Sequence, residues 1–224
     1  MEDDSSIDAR PEVSDKAADG PHPALLEGRW VKLTPVGSKD LGFLYKLATD
    51  PATGFRWRLR GAVPPPETFE KVVWQSVLTQ FIIVSKARNE PIGNVVGYNA
   101  NPNAGHVAVG IVATPEVVGK GFVLEAFYLF LTHLFAVYSF RKVYLELPSY
   151  NLPQFASAEG VLLEREGMLK ENDYYGGKYW DSYIFAIWRA RWEEFTAQLP
   201  IRKTGNVIPD GSLLTALDGD LEAL

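Results

Sequence analysis

Thr114-Pro115-Glu116-Val117-Val118-Gly119-Lys120-Gly121-Phe122-Val123-Leu124-Glu125-Ala126 decides how the rest of the chain is read. A strand-like run, Val107 to Ala113, enters this stretch, and a long helical run, Gly121 to Tyr138, leaves it. Two glycines stand at the junction. Glycine permits a sharp turn and a close approach to a ligand because no Cβ intrudes. The first N–H groups of a helix lack intrahelical acceptors and lie at the positive end of its dipole, an arrangement that suits phosphate. The stretch alone reads equally well as a turn whose glycines relieve strain. The phosphate loop G-x-x-x-x-G-K-[ST] is absent, and G-x-G-x-x-G fails because its third glycine would fall at Leu124.

Upstream, Leu26 to Pro35 alternates apolar and polar residues and reads as a first strand. Ser38 is placed to N-cap a helix running to Asp50 with a stripe of Leu41, Leu44, Tyr45 and Leu47. Residues 51–66 are irregular and set Arg56, Arg58 and Arg60 among Phe55 and Trp57 before Pro64-Pro65-Pro66. Either this is a surface loop with packed aromatics, or its arginines attract an acidic group. A helix is expected from Pro66 or Glu67 through about Gln80. Phe81–Ala87 and Pro91–Tyr98 form a hairpin, and His106–Ala113 is the strand that feeds the glycine turn.

Downstream of the long helix, Lys142–Leu147 is a strand, which makes a parallel pair with a right-handed crossover. Asn151 to about Leu163 reads as helical. Lys170–Tyr175 and Tyr179–Ile187 form a closing hairpin, and Ala190–Gln198 a last short helix. The expected fold is α+β, a mixed sheet flanked by helices. The expected division is an acidic disordered tail over 1–24, one domain over 25–199 and an extension over 200–224. That extension carries Leu213, Leu214, Leu217, Leu221 and Leu224 at helical spacing.

Composition narrows the chemistry. No Cys is present, which excludes disulfides and thiol nucleophiles. His22, His106 and His133 lie far apart, so no metal site is expected. The longest apolar stretch, Phe127–Val137, is interrupted by Thr132 and His133 and is too short to span a bilayer. The acidic N-terminus lacks a signal-peptide apolar core, and the protein is expected in the cytoplasm. Residues 1–20 carry seven acids against two bases, and 205–224 carry four acids and no base. The stretch between is mildly basic, which suits a small polyanion better than duplex nucleic acid. Neither a nucleic-acid nor a membrane partner is expected, and a homodimer is compatible with this reading.

The order of these elements resembles the GNAT N-acetyltransferases over roughly residues 25–195, and within them the branch that modifies ribosomal-protein N-termini. The residues that carry the resemblance are Leu26–Pro35, Pro91-Ile92-Gly93, Gly110–Pro115, Gly119-Lys120-Gly121, Glu125-Ala126, Asn151, Glu166-Gly167 and Tyr179-Trp180-Asp181. The resemblance implies acetyl-CoA as cosubstrate and an amine as acceptor. It implies that the backbone of Val118, Gly119, Lys120, Gly121 and Phe122 holds the CoA pyrophosphate. It implies that the strand at Ile111, Val112 and Ala113 splays from its neighbour and bonds the pantetheine arm, with Asn151 reaching the same arm. As a helix N-cap, Asn151 has a second reading. An N–H near Ile111 would polarise the thioester carbonyl.

The sequence departs from the family pattern in three respects. Glu116 stands where Gln or Arg is usual, Ala108 where a strand Glu is common, and Gln154 with Leu162-Leu163 where Ser and a Gly-Phe pair are usual. The missing strand Glu leaves His106, on the same strand face as Ala108, and Glu146, on the facing strand, as candidate bases. Tyr175 is the candidate acid, and Arg56, Trp57 and Tyr174 are candidate substrate contacts. The aromatics Phe122, Phe127, Tyr128, Phe130, Phe135 and Tyr138 read mainly as core, and otherwise as a wider acyl tunnel. Glu116 and Ala108 also favour an alternative, a CoA-binding or interaction module without turnover.

Overall fold

A computed structural model describes residues 26–198, and the acidic tail and the leucine-bearing extension expected from the sequence lie outside them. The strands are β1 (Val31–Pro35), β2 (Val77–Ser85), β3 (Glu90–Asn101), β4 (His106–Ala113), β5 (Lys142–Pro148), β6 (Glu164–Tyr175) and β7 (Lys178–Trp188). The α-helices are α1 (Leu41–Thr49), α2 (Pro66–Trp74), α3 (Phe122–Val137) and α4 (Arg189–Ala197). One seven-stranded sheet has the order β1-β2-β3-β4-β5-β7-β6, and its one parallel pair is β4–β5.

Period-two alternation assigns the two faces. Odd positions of β4 and β5 (Val107, Val109, Val143, Leu145, Leu147) join Phe130, Leu131 and Leu134 of α3 in the larger core. The six α3-region aromatics lie in or against that core, so packing accounts for them. The opposite face carries α1 and α2, where Leu44, Leu47, Phe69 and Val73 pack on Ile82, Val84 and Val112.

Several expected elements are redrawn. The helix expected to reach Gln80 stops at Trp74: Ser76 has φ +57°, and the β-branched and apolar Val77-Leu78-Thr79 joins β2. Arg58 meets the carbonyls left at that helix end, donating to Val72 O, Val73 O and Gln75 O at 2.7, 2.6 and 3.2 Å. Ser38 does not cap α1. A 3-10 turn (Ser38–Asp40) leads in, and the Asp40 carboxylate accepts the Gly37 N–H at 2.9 Å. The helix expected from Asn151 to Leu163 is a 3-10 segment, Ser149–Ala158, with Pro153 inside it. Leu163 then leads directly into β6.

Candidate active site

The parallel pairing of β4 and β5 is short. His106 faces Lys142, Val107 faces Val143 and Ala108 faces Tyr144, and there the ladder ends. β4 continues to Ala113 bonded only to β3, while β5 continues to Pro148 bonded only to β7. A V-shaped opening results, with its vertex at Ala108 and Tyr144. Just past β4, the Thr114 N–H donates to Ile92 O of β3. Alternation then turns the N–H groups of Val112 and Gly110 toward β3, and those of Ala113 and Ile111 into the opening.

The glycine turn closes the wide end. Gly119 and Gly121 have φ +76° and +78°, values that favour glycine, and a Cβ on Gly119 would meet only open space. Gly121 is the N-cap of α3, so the N–H groups of Phe122, Val123 and Leu124 project from the helix end without intrahelical acceptors. Lys120 is exposed beside them. Glu116 is also exposed. Its own backbone N–H, then the Thr114 hydroxyl, hold its carboxyl below the usual range, with Lys46 and Lys120 adding weaker attraction. Its charge is thus engaged within its own turn.

Asn151 lies three residues past β5, inside the 3-10 segment and not at its N-cap. Its Oδ1 is buried without a hydrogen-bond partner among the described residues. A buried acceptor left open is costly, and an amide N–H from a ligand in the cleft would satisfy it. Three features of this chain are of the kind a pantetheine arm would need: a strand edge with N–H groups turned into the opening, an orphaned amide oxygen and an open glycine turn.

Glu125, in the first turn of α3, turns away from the cleft. It is buried, and its carboxylate accepts the N–H groups of Arg29, Trp30 and Val31 at 2.6, 2.8 and 2.9 Å. A Cβ on Gly28 would lie 2.5 Å from its Cδ, so a larger residue there must push the carboxylate off its three donors. The entry to β1 and the start of α3 are locked together behind the glycine turn.

The even-numbered face of β4 and β5 meets the 51–66 loop and the β6–β7 hairpin. Ala108 and Gly110 form a low floor, with Tyr98 opposite Ala108 on β3. A Cβ on Gly110 would stand 3.6 Å from the Tyr98 ring. Glu146 projects two residues beyond the last paired residue of β5, where it accepts from Arg60 Nη2 at 3.1 Å. Arg60 Nη1 donates to Asp173 Oδ2 at 2.8 Å, and the Tyr150 hydroxyl donates to the same oxygen at 2.8 Å. Burial, then Asp173, pushes the Tyr150 phenol far up. Burial, then the charge of Glu146, raises Tyr98 against the opposing pull of Arg60 and Arg58.

The expected site residues fall into separate places. Glu146 stands at the opening. His106 sits at the closed end of the strand pair, half-buried and edge-on to Tyr144 at 5.1 Å. Tyr175 stacks on Phe55 at 3.7 Å and forms a wall. Tyr174 is exposed and pairs with Tyr179 across the hairpin. Trp57 is a core residue, buried against Phe69. Arg56 is exposed and lies over Phe55. Tyr98, Tyr150 and Asp173 escaped notice in the sequence. Tyr150 directly precedes Asn151 and Asp173 directly precedes Tyr174, but only the fold brings them together with Arg60.

A mixed sheet whose parallel pair opens onto a glycine-led helix is the architecture of an acyltransferase fold. The chain belongs to the acetyltransferase (GNAT) domain family, whose model matches residues 31–159. A curated relative, an uncharacterized N-acetyltransferase of Bacillus subtilis, is 24% identical over 113 residues, which span 50% of this chain and 66% of that protein. Among solved structures, the spermidine N-acetyltransferase of Vibrio cholerae in complex with CoA and spermine aligns with a TM-score of 0.65 and 20% identity. The alignment covers 73% of this chain and 98% of that one. A GNAT-family acetyltransferase of Bacillus anthracis aligns with a TM-score of 0.58 and 20% identity, covering 73% and 97%.

Proposed function

We propose that the chain is an acetyl-CoA-dependent N-acetyltransferase acting on a primary amine. The observation that carries this reading is the early end of the β4–β5 ladder beside the glycine turn. Bound acetyl-CoA supplies a thioester whose acetyl carbon forms the new C–N bond as its C–S bond breaks, the thiolate leaving and the amine losing one proton. The N–H groups projecting from Gly121 to Leu124 hold the pyrophosphate, while those of Val118 and Lys120, expected to share it, already donate to Pro115 O and Val117 O. The Ile111 N–H donates to the thioester oxygen, and Asn151 accepts from the pantetheine arm. The amine's proton passes to a water at the mouth of the opening, beside Glu146, whose carboxylate is held by Arg60. His106 is farther back on the same face, and Tyr175 serves as an acceptor wall.

The narrower resemblance, to enzymes of ribosomal-protein N-termini, contributes one acceptor class, a protein N-terminus. A small-molecule amine is the other. A cytoplasmic location belongs to the same proposal. Thermal-shift titration with acetyl-CoA, then a free-thiol assay over small amines and N-terminal peptides, tests this reading. Stabilisation with amine-dependent thiol release is expected. Stabilisation with no release from any acceptor would favour a CoA-binding module instead, and no stabilisation by any acyl-CoA would overturn both readings.

A further inference from the structure

Arg60 lies on the loop between α1 and α2, in the left-handed conformation at φ +50°. Its guanidinium spans two carboxylates from different strands, Glu146 of β5 and Asp173 of β6, at 3.1 and 2.8 Å. Both carboxylates border the acceptor face of the opening. No other cation is within ion-pair distance of either among the described residues. Arg58 spends its Nη donors on α2 carbonyls, and Lys142 is bound to Glu166. Aromatic rings surround the pair. Phe55 and Tyr175 are stacked, and Tyr150 packs against both and meets Trp180 at 5.3 Å.

Two adjacent carboxylates make a seat for a cation. Here the cation is built in. A tethered guanidinium competes with any dissolved ammonium at high effective concentration, and its planar fork matches paired carboxylates better than an ammonium does. With Arg60 seated, this part of the cleft is neutral and walled by rings.

We propose that Arg60 is a specificity-determining residue: it fills, from within the chain, the two-carboxylate seat that a second ammonium of a polyamine would take, and so sets the acceptor cleft for a monoamine with an aromatic body. The proposal rests on the acyltransferase reading for its acceptor, but the seat itself can be probed without turnover.

The test compares wild type, R60M, R60K and the double variant R60M/D173N. Calorimetry with spermine on the CoA-saturated protein reads the seat. Relative kcat/KM for 2-phenylethylamine and spermidine reads selectivity. R60M is expected to bind spermine at least tenfold more tightly than wild type and to shift the kcat/KM ratio at least tenfold toward spermidine. Adding D173N should reverse most of both changes, and R60K should stay within a few-fold of wild type. Should R60M fail to fold, R60K still decides, because its smaller, unforked cation is expected to loosen the seat by two- to fivefold. Spermine affinity unchanged in every folded variant, or a wild type that prefers spermidine to 2-phenylethylamine, overturns the proposal. If no variant acetylates any amine, the acyltransferase reading falls while the spermine calorimetry still decides the seat.

Discussion

Two carboxylate seats flank the same cleft and are built from opposite materials. Behind the glycine turn, Glu125 is buried and saturated by three backbone N–H groups. In front, Glu146 and Asp173 share one guanidinium carried by a loop, and the Glu146 side chain is 42% exposed. Backbone donors cannot move without unfolding β1's entry, so Glu125 is fixed and serves the fold. A side-chain donor has the freedom to swing aside, which is what the proposed recognition role of the front seat requires. On the proposed reading, the donor's tether separates a structural anion from one that serves recognition.

The largest effect is expected at Glu125. Glu125→Ala removes the acceptor of three N–H groups, part of them buried, and each hydrogen bond to a charged group is worth roughly 1.5–3 kcal/mol, with orphaned donors adding cost. A net loss of about 4 kcal/mol is expected by urea unfolding, against roughly 2 kcal/mol for Glu125→Gln, which keeps one carbonyl acceptor. Gly28→Ala should resemble the alanine variant, since its Cβ would press on the carboxylate at 2.5 Å. An E125A loss below about 1 kcal/mol would break the contrast with the front seat.

An intermediate case sharpens it. Lys142 Nζ lies 2.7 and 2.8 Å from the two Glu166 oxygens, and the Tyr144 hydroxyl donates to one of them at 2.9 Å. Burial pulls the Lys142 pKa down, but the bonds and charges of Glu166 and Tyr144 outweigh it, so the net shift is upward. Burial pushes Glu166 up, and Lys142 with Tyr144 more than reverses this, so its net shift is downward. The depressed Glu166 stabilises the fold fully above its ordinary value of 4.5, and that contribution is lost as pH falls through the lower folded value. The raised Lys142 stabilises fully below its ordinary 10.5, and loses that as pH rises through the higher folded value. Glu166→Gln should cost about 2 kcal/mol at neutral pH by leaving a buried ammonium unpaired. The difference from wild type should be flat between those limits and shrink outside them, and a gap that widens below pH 4 would contradict the pairing.

The glycine turn comes next. Gly121→Ala forces a side chain to φ +78° at the α3 N-cap, at a cost of about 1–2 kcal/mol. Under the proposed phosphate role, the α3 N–H groups tilt away from the pyrophosphate, and acetyl-CoA affinity measured by calorimetry should fall about tenfold, roughly 1.4 kcal/mol. Equal stability loss with unchanged affinity would leave the turn a purely conformational element.

Much of this geometry was legible in the sequence. The alternation of His106–Ala113, the two glycines and the apolar face of α3 fixed β4, the turn and the helix to within a residue, because local periodicity and turn chemistry agree there. The missed boundaries have local causes. Val77–Gln80 follows a helix pattern closely enough to hide Ser76, whose left-handed turn breaks it. Pro153 makes a 3-10 segment of what reads as a helix. The acceptor face was less legible, since Arg60, Glu146, Tyr150 and Asp173 are joined only by the sheet order that sets β7 between β5 and β6. Of three loop arginines with the same local context, one caps α2, one lies over Phe55 and one reaches the carboxylates. No period distinguishes them.

The smallest expected effect bears most directly on the contrast. Arg60 and Glu146 are both more than a third exposed, and ion pairs in that setting contribute about 0–1 kcal/mol. Asp173 is better covered but keeps the Tyr150 hydroxyl when Arg60 is gone. Arg60→Met should therefore lower stability by less than about 1 kcal/mol, and raising the salt concentration should erase most of that difference. A loss near that of Glu125→Ala would mean that Arg60 clamps the loop to the hairpin as firmly as β1 is pinned to α3. The front seat would then be a second structural anion, closed to exchange, and the contrast would collapse into one design used twice.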